Sequence, residues 1–140
     1  MDTRQKIVST LMALSVATVA LARDHQVREY FIAPQDGAVV SSPVHVIFGL
    51  EGMGVAPAGV EHPDTGHHHL LIDAPPPPPG QPIPADAQHL HFGHGQTETR
   101  VALAPGEHSL QLVLADARHV PFDPPVMSRR ITITVRAPAD

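Results

Sequence analysis

The sequence predicts an all-β fold, a two-layer antiparallel β-sandwich of the immunoglobulin-like type with about six or seven strands. Short apolar runs alternate with polar residues at a period of two, which is typical of strands with one buried face. Proline, glycine and aspartate separate these runs, and no segment after residue 22 has the spacing of an amphipathic helix. Because a single sheet of this size cannot bury its apolar face alone, we expect a second layer.

The strands can be placed in order along the chain. The predicted strands are residues 29–32, 44–50, 67–72, 97–103, 107–115 and 131–135. A turn beginning at Pro34 ends the first strand, since proline presets φ and the glycine at position 37 accepts a positive φ. Residues 104–106, Ala-Pro-Gly, separate the fourth and fifth strands, so we expect those two to pair as a hairpin. Ile131, Ile133 and Val135 give the last strand the clearest alternation.

The first 22 residues have the pattern of a secretion signal. Arg4 and Lys6 precede a run of apolar and small residues, which ends in the small–x–small pattern Ala-Leu-Ala at positions 20–22. The run of roughly 15 residues is shorter than the ~20 needed to span a bilayer. We predict a signal peptide at residues 1–22 and a single domain at residues 23–140. The product is then periplasmic or secreted, with no stable membrane anchor after cleavage.

Composition excludes several classes of chemistry. The chain has no cysteine, so disulfides, thiolate zinc sites, iron–sulfur clusters and cysteine nucleophiles are absent. The net charge of −5 lacks the basic footprint that binds nucleic acid, and we expect no nucleic-acid partner. Neither a Gly-x-Ser-x-Gly nor a Gly-x4-Gly-Lys motif occurs. The 11 histidines, the methionines and the carboxylates remain as functional groups.

Two long irregular stretches, residues 52–66 and 74–88, interrupt the strands. The second contains five consecutive prolines at positions 75–79, which cannot join a central strand and favour an extended polyproline helix. We interpret this run as a stiff loop between layers; the alternative is a docking ligand for an aromatic-lined groove. Loops of this length in a compact domain are often functional.

The histidines are the most informative feature of the sequence. Alternate strand residues share a face, so His67 and His69 point to one side, about 6.6 Å apart at Cα, while His68 points into the core. Such a pair can converge on one ion. The His-x-His pattern recurs at His89 and His91. If the two segments are adjacent in space, they supply three or four nitrogen ligands; otherwise the histidines form a polar network that ties loops to the sheet.

The ligand types favour particular metals. Nitrogen donors without thiolates suit Zn(II), Cu(II) or Ni(II), and a thioether shifts the preference toward Cu(I). His94 follows the second His-x-His pair, and His119 lies in a proline-stiffened loop. The candidate metal ligands are His67, His69, His89, His91, His94, His119, Met53 and Met127. The predicted bound ion is copper or zinc.

Several motifs carry a resemblance to a known family. They are FIAPQDG at 31–37, FGLEGMGVAPAG at 48–59, TGHHHLLID at 65–73, HLHFGHGQTE at 89–98, and the segment 119–128. Together they resemble a family of small exported bacterial proteins, a domain of unknown function of the DUF4399 type. The resemblance implies an exported single-domain protein and brings no activity with it.

Three functions remain open at this point. The first is an exported metal-binding protein that stores or delivers copper or zinc without catalysis. The second is an interaction module that presents its loops to another cell-envelope protein or to a glycan, with structural histidines and no metal. The third is a metal-dependent enzyme, which requires an open coordination position and a placed acid or base; the sequence indicates neither.

Overall fold

The structure, a computed structural model, describes residues 26–138, and every regular element in this range is a strand. The strands are β1 (Arg28–Ala33), β2 (Val39–Val40), β3 (Val44–Glu51), β4 (Gly54–Val55), β5 (Thr65–Ile72), β6 (His89–His91), β7 (Glu98–Val101), β8 (Gly106–Ala115) and β9 (Ile131–Val135). Within residues 26–138, no helix is long and apolar enough to cross a membrane. The predicted signal peptide, residues 1–22, lies outside the described residues.

The strands form two sheets. The smaller has the order β1-β3-β7, and the larger has the order β2-β9-β8-β5-β4, with β6 also paired to β5. The pairings are antiparallel except β2 with β9 and β4 with β5, which are parallel. The predicted all-β, two-layer fold class is confirmed. The described strands outnumber the prediction because β2, β4 and β6 have only two or three residues, too few to show a period of two.

The prediction that β7 and β8 pair as a hairpin is wrong. Strand β7 pairs with β3 in the smaller sheet, whereas β8 lies between β5 and β9 in the larger one. Residues 104–106 therefore connect the two layers. The reason is burial: β8 is buried at six consecutive positions, as a central strand covered on both faces must be, whereas β7 is only half-buried at alternate positions and suits an edge.

Both faces of the larger sheet are covered. Its inner face packs on the smaller sheet in one apolar cluster, which includes Val46, Phe48 and Leu70. On its outer face, residues of β5 and β8 and of the loops that follow them form a second cluster. This outer cluster consists of Leu71, Ala74, Ile83, Val113 and Ala115, with Met127 packed against it. Strand β5 is consequently buried at every position after its first, and alternate residues enter two different environments.

Candidate metal centre

Four imidazoles meet on the outer face of the larger sheet, those of His67, His69, His91 and His119. One ring nitrogen from each lies within 4.8 Å of the others. His67 and His69 are alternate residues of β5, and His69 is directly opposite His91 on β6. His119 comes from the turn that follows β8. We call this group the four-histidine cluster.

The nitrogen atoms in the cluster are close to the separations that a bound ion requires. Nε2 of His67 lies 3.0 Å from Nε2 of His69 and 3.1 Å from Nδ1 of His119. Around a tetrahedral ion with bonds of about 2.0–2.1 Å, ligand nitrogens are roughly 3.3–3.4 Å apart. These two pairs are within a few tenths of an ångström of coordination spacing, whereas any nitrogen pair near the 4.8 Å limit of the cluster would have to approach by roughly 1.4 Å.

Burial keeps the two cluster imidazoles of β5, those of His67 and His69, neutral. His67 and His69 are 0% and 1% exposed. Desolvation, reinforced by repulsion from the neighbouring imidazoles, lowers the pKa of His67 to about 4 and that of His69 to about 3. Desolvation also lowers the pKa of His91, and His119 and His94 add to this effect. Since metal ions bind the neutral imidazole, these three ligands are in the binding form at pH 7.

The same two imidazoles carry polar atoms that the surrounding protein does not satisfy. Nδ1 of His67 and Nδ1 of His69 are buried without a hydrogen-bond partner. Unpaired buried polar atoms cost free energy, and an ion bound at the two Nε2 atoms would leave these Nδ1 atoms unpaired. The carboxylate of Asp73 does not pair with these nitrogen atoms. It accepts hydrogen bonds from His108 and from the backbone N–H of Ser109.

His119 is held in place by its turn. Its φ of +67° lies in the left-handed region, which is unfavourable for a residue with a side chain. The Asp116 carboxylate accepts hydrogen bonds from the backbone N–H groups of Arg118 and Val120, at 2.8 and 2.9 Å. The backbone N–H of Ile83, in the proline-containing loop, donates to the His119 carbonyl at 2.8 Å. Two separate segments thus fix the strained conformation that presents this imidazole.

The ring of His91 depends on a glycine beside it. A Cβ atom on Gly93 would overlap Cε1 of His91 and lie 2.6 Å from its Nε2 and 3.2 Å from Cβ of Ala58. The Ala58 N–H donates to the Gly93 carbonyl at 2.9 Å, which holds the backbone in this position. Because φ of Gly93 is outside the left-handed region, the glycine is needed for space and not for backbone conformation.

Replacing Gly93 with alanine is therefore expected to displace the His91 ring and to weaken metal binding by about tenfold, with little change in the fold. Isothermal titration with Zn(II) measures the affinity. The matched control is Gly54→Ala, where the added Cβ meets only Thr65 Cγ2, at 3.3 Å, and Asp64 O, at 3.9 Å. Equal affinity in Gly93→Ala and the unaltered protein would contradict this account of His91.

The other candidate ligands lie outside the four-histidine cluster. His89 is opposite Leu71, and its Nδ1 lies 2.8 Å from the Asp86 carboxylate. His94 is exposed, and its backbone N–H donates to the Gln96 side chain at 2.9 Å. Neither methionine joins the cluster: Met127 packs against the outer cluster, and Met53 lines a cavity of about 930 Å³.

A buried acid that the sequence analysis missed lies on the other side of β5. The Glu29 carboxyl group is 2.7 Å from Nδ1 of His68, and both side chains are almost fully buried. Burial raises the pKa of Glu29 and lowers that of His68 to about 4. Both shifts favour the neutral forms, so burial favours a neutral carboxyl group beside a neutral imidazole. The pair connects β1 with β5 across the two layers, which no local pattern indicates.

Comparison with known proteins places the chain in a family. Residues 46–136 match the family model described as "Domain of unknown function (DUF4399)". The matched range contains all four residues of the four-histidine cluster. No curated protein and no solved structure matches the chain. Because the match covers well over half of the 140 residues, this protein belongs to the DUF4399 family.

Proposed function

We propose that this protein binds one copper or zinc ion through the four-histidine cluster and stores or delivers it. The convergence of four imidazole nitrogens within 4.8 Å of one another is the observation that supports this function. The histidines come from three separate segments of the chain. Burial lowers the pKa of His67 and His69 and so keeps these rings in the neutral, metal-binding form at pH 7, which adds to the support.

The donor set favours copper and zinc over other common ions. Imidazole nitrogen suits Zn(II) and Cu(II), whereas Mg(II) and Ca(II) prefer oxygen ligands. For a given nitrogen site, Cu(II) binds most tightly among the divalent ions of the first row. A site without thiolates also keeps its ligands intact in an oxidising compartment, which agrees with the export that we propose from the signal pattern in residues 1–22.

Storage or delivery agrees better with the cluster than catalysis does. Structural zinc sites have four protein ligands, whereas catalytic sites keep one position for water or substrate. Four imidazoles within reach of one point would complete a tetrahedral set. An interaction module without metal, the alternative, gives the convergence of four imidazoles on one point no role.

Metal analysis and thermal unfolding of the purified protein test the proposal. We expect about one equivalent of Zn(II) or Cu(II) per chain after gel filtration, and none after treatment with EDTA. Ligand that binds only the native state at 100 times its Kd adds about 2.7 kcal/mol to the free energy of unfolding, so the melting temperature will rise with Zn(II) or Cu(II) and not with Mg(II). A protein that retains no metal and melts at the same temperature with or without it would overturn the proposal and favour the interaction module.

A further inference from the structure

We propose that the four-histidine cluster is a tetrahedral site whose ion is Zn(II), and that the fold holds the ligands in a geometry that disfavours Cu(II). This inference rests on the proposed function and deepens it, because it selects one ion among those that imidazole ligands accept. Three observations carry it: the spacing of the four rings, the segments that hold them, and the positions of the two candidate methionines.

The four imidazole rings are almost equally separated. Their centroids are 4.6 to 5.9 Å apart in every pairing within the cluster. With nitrogen–metal bonds of about 2.0–2.1 Å, a ring centroid lies about 3.2 Å from the ion, and tetrahedral ligands then have centroids about 5.2 Å apart. The centroid of His67 is 5.0 Å from that of His91 and 5.0 Å from that of His119. The spacing of the rings therefore suits a tetrahedral ion.

A square-planar arrangement does not fit the same four rings. In a square the diagonals are about 1.4 times the sides, and no four points in one plane have a smaller ratio of longest to shortest separation. Here the longest separation, 5.9 Å between His69 and His119, is about 1.3 times the shortest, 4.6 Å between His91 and His119. The ring centroids consequently cannot lie in one plane. Cu(II) favours square-planar or tetragonal nitrogen ligands, whereas four-coordinate Zn(II) is tetrahedral.

The fold holds the ligands in this arrangement from two directions. His67 and His69 stand on β5, and the β5–β6 pairing places His91 opposite His69, so these three rings belong to the larger sheet. His119 comes from the turn after β8, and its ring is inclined by 80–86° to each of the other three. Backbone N–H groups of that turn donate to the Asp116 carboxylate. Bringing the four ligands into one plane would require this turn to move relative to the sheet.

The donor set separates Zn(II) from Cu(I), which also accepts tetrahedral sites. Soft sulfur ligands select Cu(I), and imidazole nitrogen suits Zn(II). The chain has no cysteine, and its two candidate thioethers have other surroundings. Met127 packs against the apolar outer cluster, and Met53 lines a cavity whose lining includes none of the four cluster histidines. Four neutral nitrogen donors in a tetrahedral arrangement therefore favour Zn(II).

Cobalt substitution tests the geometry directly. Tetrahedral Co(II) absorbs strongly in the visible range, whereas six-coordinate Co(II) absorbs only weakly. We expect the metal-free protein to turn blue with an equimolar amount of Co(II), and an equimolar amount of Zn(II) to remove the colour by displacement. Weak, six-coordinate absorption from Co(II) that is shown by dialysis to be bound would overturn the tetrahedral site and leave the proposed function standing. A protein that binds neither ion would instead refute the proposed function.

The His119→Asn variant tests whether the fourth ligand imposes the preference. Asparagine tolerates the left-handed conformation of this turn, so the variant is expected to fold. Three imidazoles and water remain as ligands, and they no longer enforce a tetrahedral shell. We expect the affinity for Zn(II) to fall about 100-fold and that for Cu(II) by about tenfold or less, so the ratio of Cu(II) to Zn(II) affinity rises at least about tenfold.

Titration in competition with a chelator of known affinity measures both constants. The matched control is His45→Asn on the smaller sheet, which removes a partly exposed imidazole paired with Glu98 and should leave the ratio as it was. An unchanged ratio of Cu(II) to Zn(II) affinity in folded His119→Asn would show that the fold does not discriminate between the two ions, and it would overturn this inference.

Discussion

The double variant His67→Ala/His69→Ala is expected to lose metal binding, with an affinity for Zn(II) or Cu(II) at least about 1,000-fold weaker, equivalent to about 4 kcal/mol. These two residues are the deep ligands on β5, and their Nε2 atoms are 3.0 Å apart. Without them, only the exposed His91 and the half-buried His119 remain of the cluster. Isothermal titration and metal analysis after gel filtration measure the loss.

Two further variants make this result interpretable. The double variant His67→Gln/His69→Gln keeps polar side chains of similar size in the buried positions, and it should lose binding to the same extent while remaining folded. His89→Ala removes a histidine from the same face of the larger sheet, one that is paired with Asp86 and lies outside the cluster. It should bind metal normally. Retained affinity in either double variant, in protein shown to be folded, would remove the basis for the metal site.

The second large effect is a loss of stability in weak acid. In EDTA, the free energy of unfolding should fall by about 3 kcal/mol per pH unit as the pH drops from 6.5 toward 4.5. Burial lowers the pKa of His67 and His68 to about 4 and that of His69 to about 3. Between pH 6.5 and 4.5, each of these imidazoles is therefore protonated in the unfolded chain and neutral in the native chain. Lowering the pH consequently favours unfolding.

Glu29 opposes this trend by at most one proton. Its pKa rises on folding, so the native chain holds a proton that the unfolded chain has released at any pH between 4.5 and the native value. Because one carboxyl group can offset at most one of the three histidine protons, unfolding takes up at least about two protons, which sets the expected slope, and the lowered pKa of His91 acts in the same direction. The hydrogen bond to Asp73 raises the pKa of His108, so its opposing contribution to the slope fades as the pH falls below 6.5 and the unfolded chain also becomes protonated there.

Urea unfolding at several pH values between 7.5 and 4.5, with EDTA present, measures this dependence. The His67→Gln/His69→Gln variant provides the control, since it removes two of the three titrating imidazoles and should flatten or reverse the slope. A free energy of unfolding that is the same at pH 7 and pH 5 in the unaltered protein would show that these histidines are not held neutral by burial.

Much of the fold followed from local patterns. Alternation at a period of two identified the long strands, because a strand with one buried face must alternate. The same parity placed His67 and His69 on one face of β5 and His68 on the other, which is how the structure has them. The strands that pair with β8 could not be predicted from these local patterns. Pairing between strands is decided by contacts distant in sequence, and an intervening Ala-Pro-Gly turn serves a crossover as well as a hairpin.

The sequence by itself determined that the fold is all-β, that thiol chemistry is absent and which histidines share a face of one strand. These properties depend on residue type and on spacing within one strand. Only the tertiary structure decided that β5, β6 and the turn at His119 meet, that His89 turns to Asp86 instead, and that Glu29 lies against His68. The reason is that convergence depends on strand order and loop path. Strand order and loop path are set by the free energy of the whole molecule, and the residue spacing within one segment does not encode them.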